Sequence, residues 1–335
     1  MILYDPNGVR VKMQDTSQIR VKLTGKLLAG IKFTTPPATT EYFVGDTMDW
    51  TGAVVSTVNE MGTAIEDVTS QCTFSPVSGY EFTTSDVSNY KQLTATCTID
   101  DVTYTATMTC EVITTDLESM TWKQVSNFIK AGKANKVVGG TKSFVYNGNT
   151  YHAKLISVND GTGAYAEWYP SNTADFLCNE VIPSTAQYST TSPSSWKQSN
   201  LRTVSAGIYD ELPSDLKAVI IGRTHKFKQQ ANSDTMEEVT DNVWVPSAYE
   251  FGVRTANAGS GESLDWNKQW FETGQSPALV DASDTSVTRA YWTSSIFDSG
   301  ATKATYLGAG GRNKSYTGIV SNQNYVPIAF RLGQA

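Results

Sequence analysis

Residues 93–112 read Leu93-Thr-Ala-Thr-Cys-Thr-Ile-Asp100-Asp101-Val-Thr-Tyr-Thr-Ala-Thr-Met-Thr-Cys-Glu-Val112. Leu93, Ala95, Cys97 and Ile99 precede the Asp100-Asp101 pair, and Val102, Tyr104, Ala106, Met108, Cys110 and Val112 follow it, with Thr at most intervening positions. A period of two puts every apolar residue on one side of an extended chain. Two such runs joined by two turn residues predict a β-hairpin with one buried face. Pairing about the turn sets Cys97 opposite about Tyr104, so a Cys97–Cys110 disulfide does not fit the geometry. Free thiols behaving as small apolar side chains are the expectation for the cysteines.

Outward from this hairpin the same texture extends back to Leu27. Short Thr-rich alternating runs separated by turn residues predict an antiparallel β-sandwich over residues 27–113. Residues 1–26 are more polar, with a turn signal at Asp5-Pro6-Asn7-Gly8 and alternation in Val9, Val11, Met13 and in Ile19, Val21, Leu23. They are too few for a core of their own and read as an extended arm or hairpin.

Forward of Ile113-Thr114-Thr115-Asp116 the period changes. Trp122, Val125, Phe128 and Ile129 recur at helical spacing after the candidate caps Asp116 and Ser119, so a second domain begins, taken as 117–335. Strands are expected at Lys142–Tyr146 and Tyr151–Val158, joined by the hairpin signal Asn147-Gly148-Asn149. A helical stretch is expected from about Ser195 to Ile221, interrupted near Gly207 and restarted at Leu212-Pro213-Ser214-Asp215. The remainder reads as short strands and long Gly/Ser/Asn loops.

Length and composition agree with a multidomain globular chain. There are 335 residues, 39% hydrophobic and 18% charged, with 25 Gly and 11 Pro, which excludes collagen, coiled coil and general disorder. The net charge of −7, with no Lys/Arg run, removes the attraction that holds a phosphate backbone, so nucleic acid is not an expected partner. No apolar stretch reaches the roughly 18–20 residues of a membrane span, and Met1–Arg20 lacks an apolar signal core. Four cysteines without Cys-x-x-Cys spacing and two separated histidines give no zinc or iron–sulfur signature. No metal and no cofactor are expected.

Two resemblances add to this reading. Residues 31–76, with Pro37, Tyr42, Val44-Gly45-Asp46, Thr51-Gly52 and Glu66-Asp67-Val68-Thr69, resemble a bacterial immunoglobulin-like domain of the kind repeated in surface adhesins and phage virion proteins. The resemblance implies a spacer role in an extracellular or virion setting. The motifs SWKQSNLRT (195–203), DELPSDLKAVI (210–220), VWVPSAYEFG (243–252), AYWTSS (290–295) and VPIAFRL (326–332) resemble, in that order, a C-type-lectin-like domain of an uncharacterised family found in gut bacteria and their phages. That family is related in fold to formylglycine-generating enzymes and to the variable proteins of diversity-generating retroelements. The resemblance implies an α+β fold whose first and last strands pair around a long loop region. The fold class expected for the whole chain is therefore an all-β immunoglobulin-like sandwich followed by an α+β C-type-lectin-like domain.

The sequence offers little catalysis. His152 lies in an alternating strand and His225 in the basic run RTHKFK, neither in a setting that marks a catalytic base. Formylglycine-generating enzymes work through a cysteine pair, whereas Cys178 stands alone in the second domain, so that activity does not carry over. Glu237-Glu238, Asp281 and Asp284 read as solvated loop acids. Gly308–Gly311 lacks the strand-to-helix setting of a dinucleotide fingerprint. The Glu-Pro-Asn, Gln-Pro-Asp and Trp-Asn-Asp triplets of calcium-dependent lectins are absent, and Trp266-Asn267 is followed by Lys268.

What remains is aromatic and amide-rich surface. Trp266 and Trp270 stand at i, i+4 and serve either as core cover or as a stacking face; Trp292 reads as core. The stretch 306–324 supplies Tyr306, Arg312, Asn313, Tyr316 and Asn324 on what is expected to be a loop, solvated or ligand-binding. The expected function is that of a phage virion accessory or structural protein, not an enzyme. Its arm attaches to other virion proteins, and its lectin-like head adheres to a host-surface glycan or protein through Trp266, Trp270, Tyr306, Arg312, Asn313, Tyr316 and Asn324, as a homotrimer or other cyclic oligomer. The expected location is the virion, assembled in the host cytoplasm. A bacterial secreted or surface adhesin is the alternative, and a glycan-processing enzyme a further one.

Overall fold

The computed structural model describes residues 3–4, 10–11, 28–159, 171–191, 195–228, 235–248, 250–251, 278–296, 303–309 and 311–334. The chain divides into two compact units, Met1–Thr114 and Thr115–Ala335. Strands predominate in both, and among the described residues no helix is long and apolar enough to cross a membrane.

In the first unit β1 (Leu3–Tyr4) pairs with β2 (Arg10–Val11) antiparallel. The other arm residues lie outside the described ones. The body is built from β3 (Gly30–Thr35), β4 (Glu41–Phe43), β5 (Val54–Val58), β6 (Ala64–Asp67), β7 (Thr73–Ser75), β8 (Ser88–Ile99) and β9 (Val102–Ile113). They form two sheets, β3-β5-β6 and β4-β9-β8-β7. The quoted stretch is the β8–β9 hairpin, with Cys97 opposite Tyr104 and both Asp100 (φ 48°) and Asp101 (φ 60°) in the left-handed region. Two such residues match the right-handed twist of the flanking strands. The period-two face closes the core, where Ile31 and Val55 of one sheet meet Ala95, Cys97 and Ala106 of the other. One expectation is corrected. The sheets are not wholly antiparallel, because β4 pairs with β9 in parallel, Tyr42 beside Val112.

The second unit opens with a 3-10 turn, Leu117–Ser119, followed by α1 (Trp122–Lys130). Trp122, Val125, Phe128 and Ile129 are all buried. Its cap is not Asp116 or Ser119. Thr121 accepts from the Gln124 amide and Gln124 returns the bond to the Thr121 amide, while Asp116 caps the preceding turn. Then come β10 (Thr141–Tyr146), β11 (Asn149–Asn159) and β12 (Thr173–Gln187), with Asn147 and Gly148 at positive φ in the predicted hairpin turn. Helix α2 (Asn200–Glu211) runs straight through Gly207, against expectation, since a single interior Gly costs a helix only about 1 kcal/mol. The break falls at Leu212-Pro213, before α3 (Ser214–Lys217).

The remaining strands are β13 (Ile220–Ile221), β14 (Arg223–Lys228), β15 (Met236–Asp241), β16 (Val243–Trp244), β17 (Leu279–Asp281), β18 (Asp284–Arg289), β19 (Tyr291–Ile296), β20 (Lys303–Gly308), β21 (Gly311–Ile319) and β22 (Gln323–Gly333). The main sheet runs β10-β11-β12-β22-β19-β20-β21. The resemblance implied that the first and last strands of the region pair; instead β10 pairs with β11 and not with β22. The third strand, β12, takes that place and pairs with β22 from Thr173–Gly333 to Gln187–Gln323. Gly308 and Gly311 are register partners where β20 and β21 meet.

Alternation makes the β12–β22 pair two-sided. On one face Phe176 and Phe330, register partners, stack at 5.4 Å, and Trp122 of α1 lies edge-on to both. On the other, Asp175 and Arg331 are register partners joined by two bonds, Nε to Oδ1 at 2.6 Å and an Nη to Oδ2 at 2.9 Å. Arg223 reaches the same carboxylate at 3.9 Å, pairs with Glu250 and lies 4.7 Å from the Trp244 ring. All four charges are buried, two of each sign.

Gly333 closes the ladder at φ 128°, and a Cβ there would stand 2.2 Å from the Asn172 carbonyl oxygen. Backbone strain plus that clash predicts that Gly333→Ala costs about 3 kcal/mol or more. Denaturant unfolding of the full chain should show the loss in the second unit's transition; an unchanged midpoint would contradict the closure. His225, beside Phe227 and Trp244, is also buried, and neither ring nitrogen has a partner among the described residues. Burial first, then Arg223, Arg331 and Arg202, hold its pKa well below the usual range. The stability of its neutral form is full above the unfolded value, near 6.5, and falls by about 1.4 kcal/mol per pH unit below it, down to the folded value. His225→Leu should flatten that part of the stability–pH curve; an identical slope in the variant would contradict the assignment.

Candidate functional site

The predicted surface residues separate into three groups. Trp266 and Trp270 lie outside the described residues. Tyr306, Arg312, Asn313 and Tyr316 are on strands β20 and β21, not on a loop, and Asn324 is on β22 itself, opposite Ala186. The alternation of Tyr306 with Ala304 and of Tyr316 with Gly318 is the local signal that a loop reading passed over.

The register nevertheless gathers part of the set. Tyr316 is the partner of Tyr306 and Tyr306 the partner of Trp292, so three aromatic residues form one row across β21, β20 and β19. Trp292 is fully buried, donates from Nε1 to the Ala186 carbonyl at 2.8 Å, and meets the half-buried Tyr306 edge-on at 5.8 Å. Gly318 belongs to this packing, since a Cβ there would come within 3.4 Å of both rings. In the adjacent row Tyr291 pairs with Tyr325, whose ring carries the Arg289 guanidinium at 4.9 Å. Asp281 is not a solvated loop acid. It is buried and bonds Arg289 at 2.8 Å; burial pushes its carboxyl up, but the bonds from Ser283 and Arg289 together outweigh that and leave it below the usual range. Glu237 and Glu238 likewise sit on strand β15, paired with Phe227 and Lys226.

A concavity formed by described residues of the second unit lies elsewhere. A cleft of about 660 Å³ is lined by Leu117, Glu118, Val138, Ser143, Thr150 and His152 among others. Two carboxylates hold lining residues in place, Glu118 in the lining itself and Glu180 outside it. Glu118 accepts from the Ser143 amide at 2.8 Å and from the Ser143 hydroxyl. Glu180 accepts from the His152 amide at 2.7 Å and takes Nδ1 at 2.8 Å. Ser143 and His152 face each other across β10 and β11, and their amides point away from each other to the two carboxylates. They are therefore a non-hydrogen-bonded pair, the kind whose side chains approach most closely.

Burial assigns the roles. Glu180 is 3% exposed and His152 43%, so the carboxylate is the fixed support and the imidazole the accessible group. Nδ1 is the nitrogen that faces the carboxylate, so the geometry suits a ring that donates from Nδ1 and leaves Nε2 for another partner. The Ser143 hydroxyl, then its amide with Lys142 and His152, hold the Glu118 carboxyl below its usual range against partial burial. The cleft thus presents a carboxylate, an oriented imidazole and threonine hydroxyls beside an apolar wall, a setting for a polar ligand rich in donors. Sequence reading passed over His152 because its partner is 28 positions away.

Residues 172–333 match the model of a family described as a domain of unknown function, DUF6273. No curated protein matches the chain. The match begins where β12 begins and ends where β22 ends, so it encloses the closed ladder and the aromatic row, while α1, β10 and much of the cleft fall outside it.

The cleft geometry makes a spectroscopic prediction. Nitrogen-15 NMR of the imidazole should show the Nδ1–H tautomer of His152, and Glu180→Gln should abolish the preference. A ring protonated at Nε2 in the unmodified protein would contradict the assignment.

Proposed function

We propose that the chain is a binding protein of a phage virion. In this reading the arm attaches to other virion proteins, the first unit is an immunoglobulin-like spacer, and the second is a C-type-lectin-like domain displayed for adhesion to a host glycan or protein. Two facing sheets with Greek-key-like mixing of neighbours support the first assignment. An α+β unit closed by the β12–β22 ladder supports the second. A cyclic assembly, most simply a trimer, fits a displayed fibre-like component.

The observation that carries the reading is Tyr306, half-buried on β20 and packed edge-on against the buried Trp292, on a sheet that also carries Asn324 at the start of β22. Rigid aromatic faces with neighbouring amides bind sugars and protein surfaces at little entropic cost. Binding of the purified chain to host cells should fall about tenfold, or about 1.4 kcal/mol, in the double variant Tyr306→Leu, Asn324→Ala with Tm nearly unchanged. Full binding by a folded double variant would contradict the site, and absence of the chain from purified particles would contradict the virion setting.

The His152–Glu180 pair favours a second reading, in which the cleft acts on a host polysaccharide with His152 as base. Turnover by the purified chain that is lost in His152→Ala would favour it; binding without turnover favours adhesion.

A further inference from the structure

Cys72 follows the 3-10 turn Thr69–Gln71 with an extended backbone, φ −87° and ψ 146°, and so continues β7 by one residue. Along β7 the partners are Ser75–Thr94, Phe74–Ala95 and Thr73–Thr96, antiparallel to β8. The next pair in this register is Cys72 with Cys97. Both belong to the same core cluster, Cys97 buried and Cys72 partly exposed at its margin. The two thiols are close enough to interact electrostatically, and the Cys72 Sγ donates to the Val68 carbonyl at 3.3 Å. Directly opposed strand residues have Cα atoms about 4.5–5.5 Å apart, inside the range a disulfide spans.

We propose that Cys72 and Cys97 are a latent disulfide, reduced where thiols are maintained and closed in an oxidising environment, that fastens edge strand β7 to β8. The reaction needs a small disulfide oxidant of the glutathione type. The Cys72 thiolate attacks one sulfur of the oxidant, forming a mixed disulfide and releasing one thiol. The Cys97 thiolate then attacks the Cys72 sulfur and releases the second thiol. Two protons leave the cysteines, one S–S bond forms, and the oxidant is reduced to two thiols. Cys72 is the entry point because it alone of the pair is accessible. Burial first, then Cys97, push its pKa up to about 12, so closure in the folded chain is slow and is fastest while the strands are open.

β7 is a short outer strand of its sheet, so the bridge fixes an element that pairs on one side only. Cys110 is not a competitor, since its register partner on β8 is Lys91. This inference does not depend on the adhesion reading.

The test uses the full chain, fully reduced, treated with oxidised glutathione either folded at mildly alkaline pH or during refolding from denaturant. Intact mass should fall by two hydrogens, non-reducing digests should contain one peptide pair joining Cys72 to Cys97, and the first unit's Tm should rise by several degrees and return on reduction. Cys72→Ser and Cys97→Ser should each abolish all three changes. An unchanged mass after both treatments, a glutathione adduct that persists on Cys72, or a bridge to Cys110 or between chains would overturn the proposal.

Discussion

The pairing of Asp175 with Arg331, 156 residues apart, is the constraint on which the second unit depends. The two residues are direct partners on β12 and β22, and their neighbours Phe176 and Phe330 are partners on the opposite face. One strand pair therefore supplies both the apolar layer against α1 and the ionic layer against β14. Removing one member of a buried ion pair leaves an uncompensated charge, at a cost of about 3–5 kcal/mol. The network thus discriminates strongly against other registers. A one-residue slip would put Asp175 among the phenylalanines and Phe176 beside Arg223.

Both candidate surfaces of the second unit extend from this ladder. The strands β19, β20 and β21 extend the sheet from β22 and carry the aromatic row, while β11 and β10 extend it from β12 and carry the cleft. The two candidate surfaces therefore share one rigid base. Inside the base Arg223 is shared between Asp175 and Glu250, and Glu250 closes a reciprocal bond pair with Ser247, so the turn after β16 is fixed to the same network. His225, two residues from Arg223 on β14, is kept neutral first by burial and then by the positive side chains of Arg223 and Arg331.

Local chemistry was legible in the sequence and distant chemistry was not. The turns Asp100-Asp101 and Asn147-Gly148 announce their hairpins because the residues themselves favour positive φ. Trp122, Val125, Phe128 and Ile129 announce α1 because three or four positions recur on one face. Gly207 misled, since its local penalty is smaller than what the packing of Leu201 and Ile208 returns. Asp175, Glu180 and Asp281 look like any surface acid in sequence, and only long-range pairing turns them into buried partners of Arg331, His152 and Arg289. The aromatic row was half legible: Tyr306 and Tyr316 were visible as residue types, but not as register partners beside Trp292.

Native-state hydrogen exchange on the full chain tests the central place of the β12–β22 ladder most directly. The account predicts that amides in 173–178 and 326–332 are the slowest in the second unit and exchange only through its global unfolding, with the β10–β11 hairpin opening earlier. Amides of β10 and β11 that outlast those of β12 and β22 would contradict it.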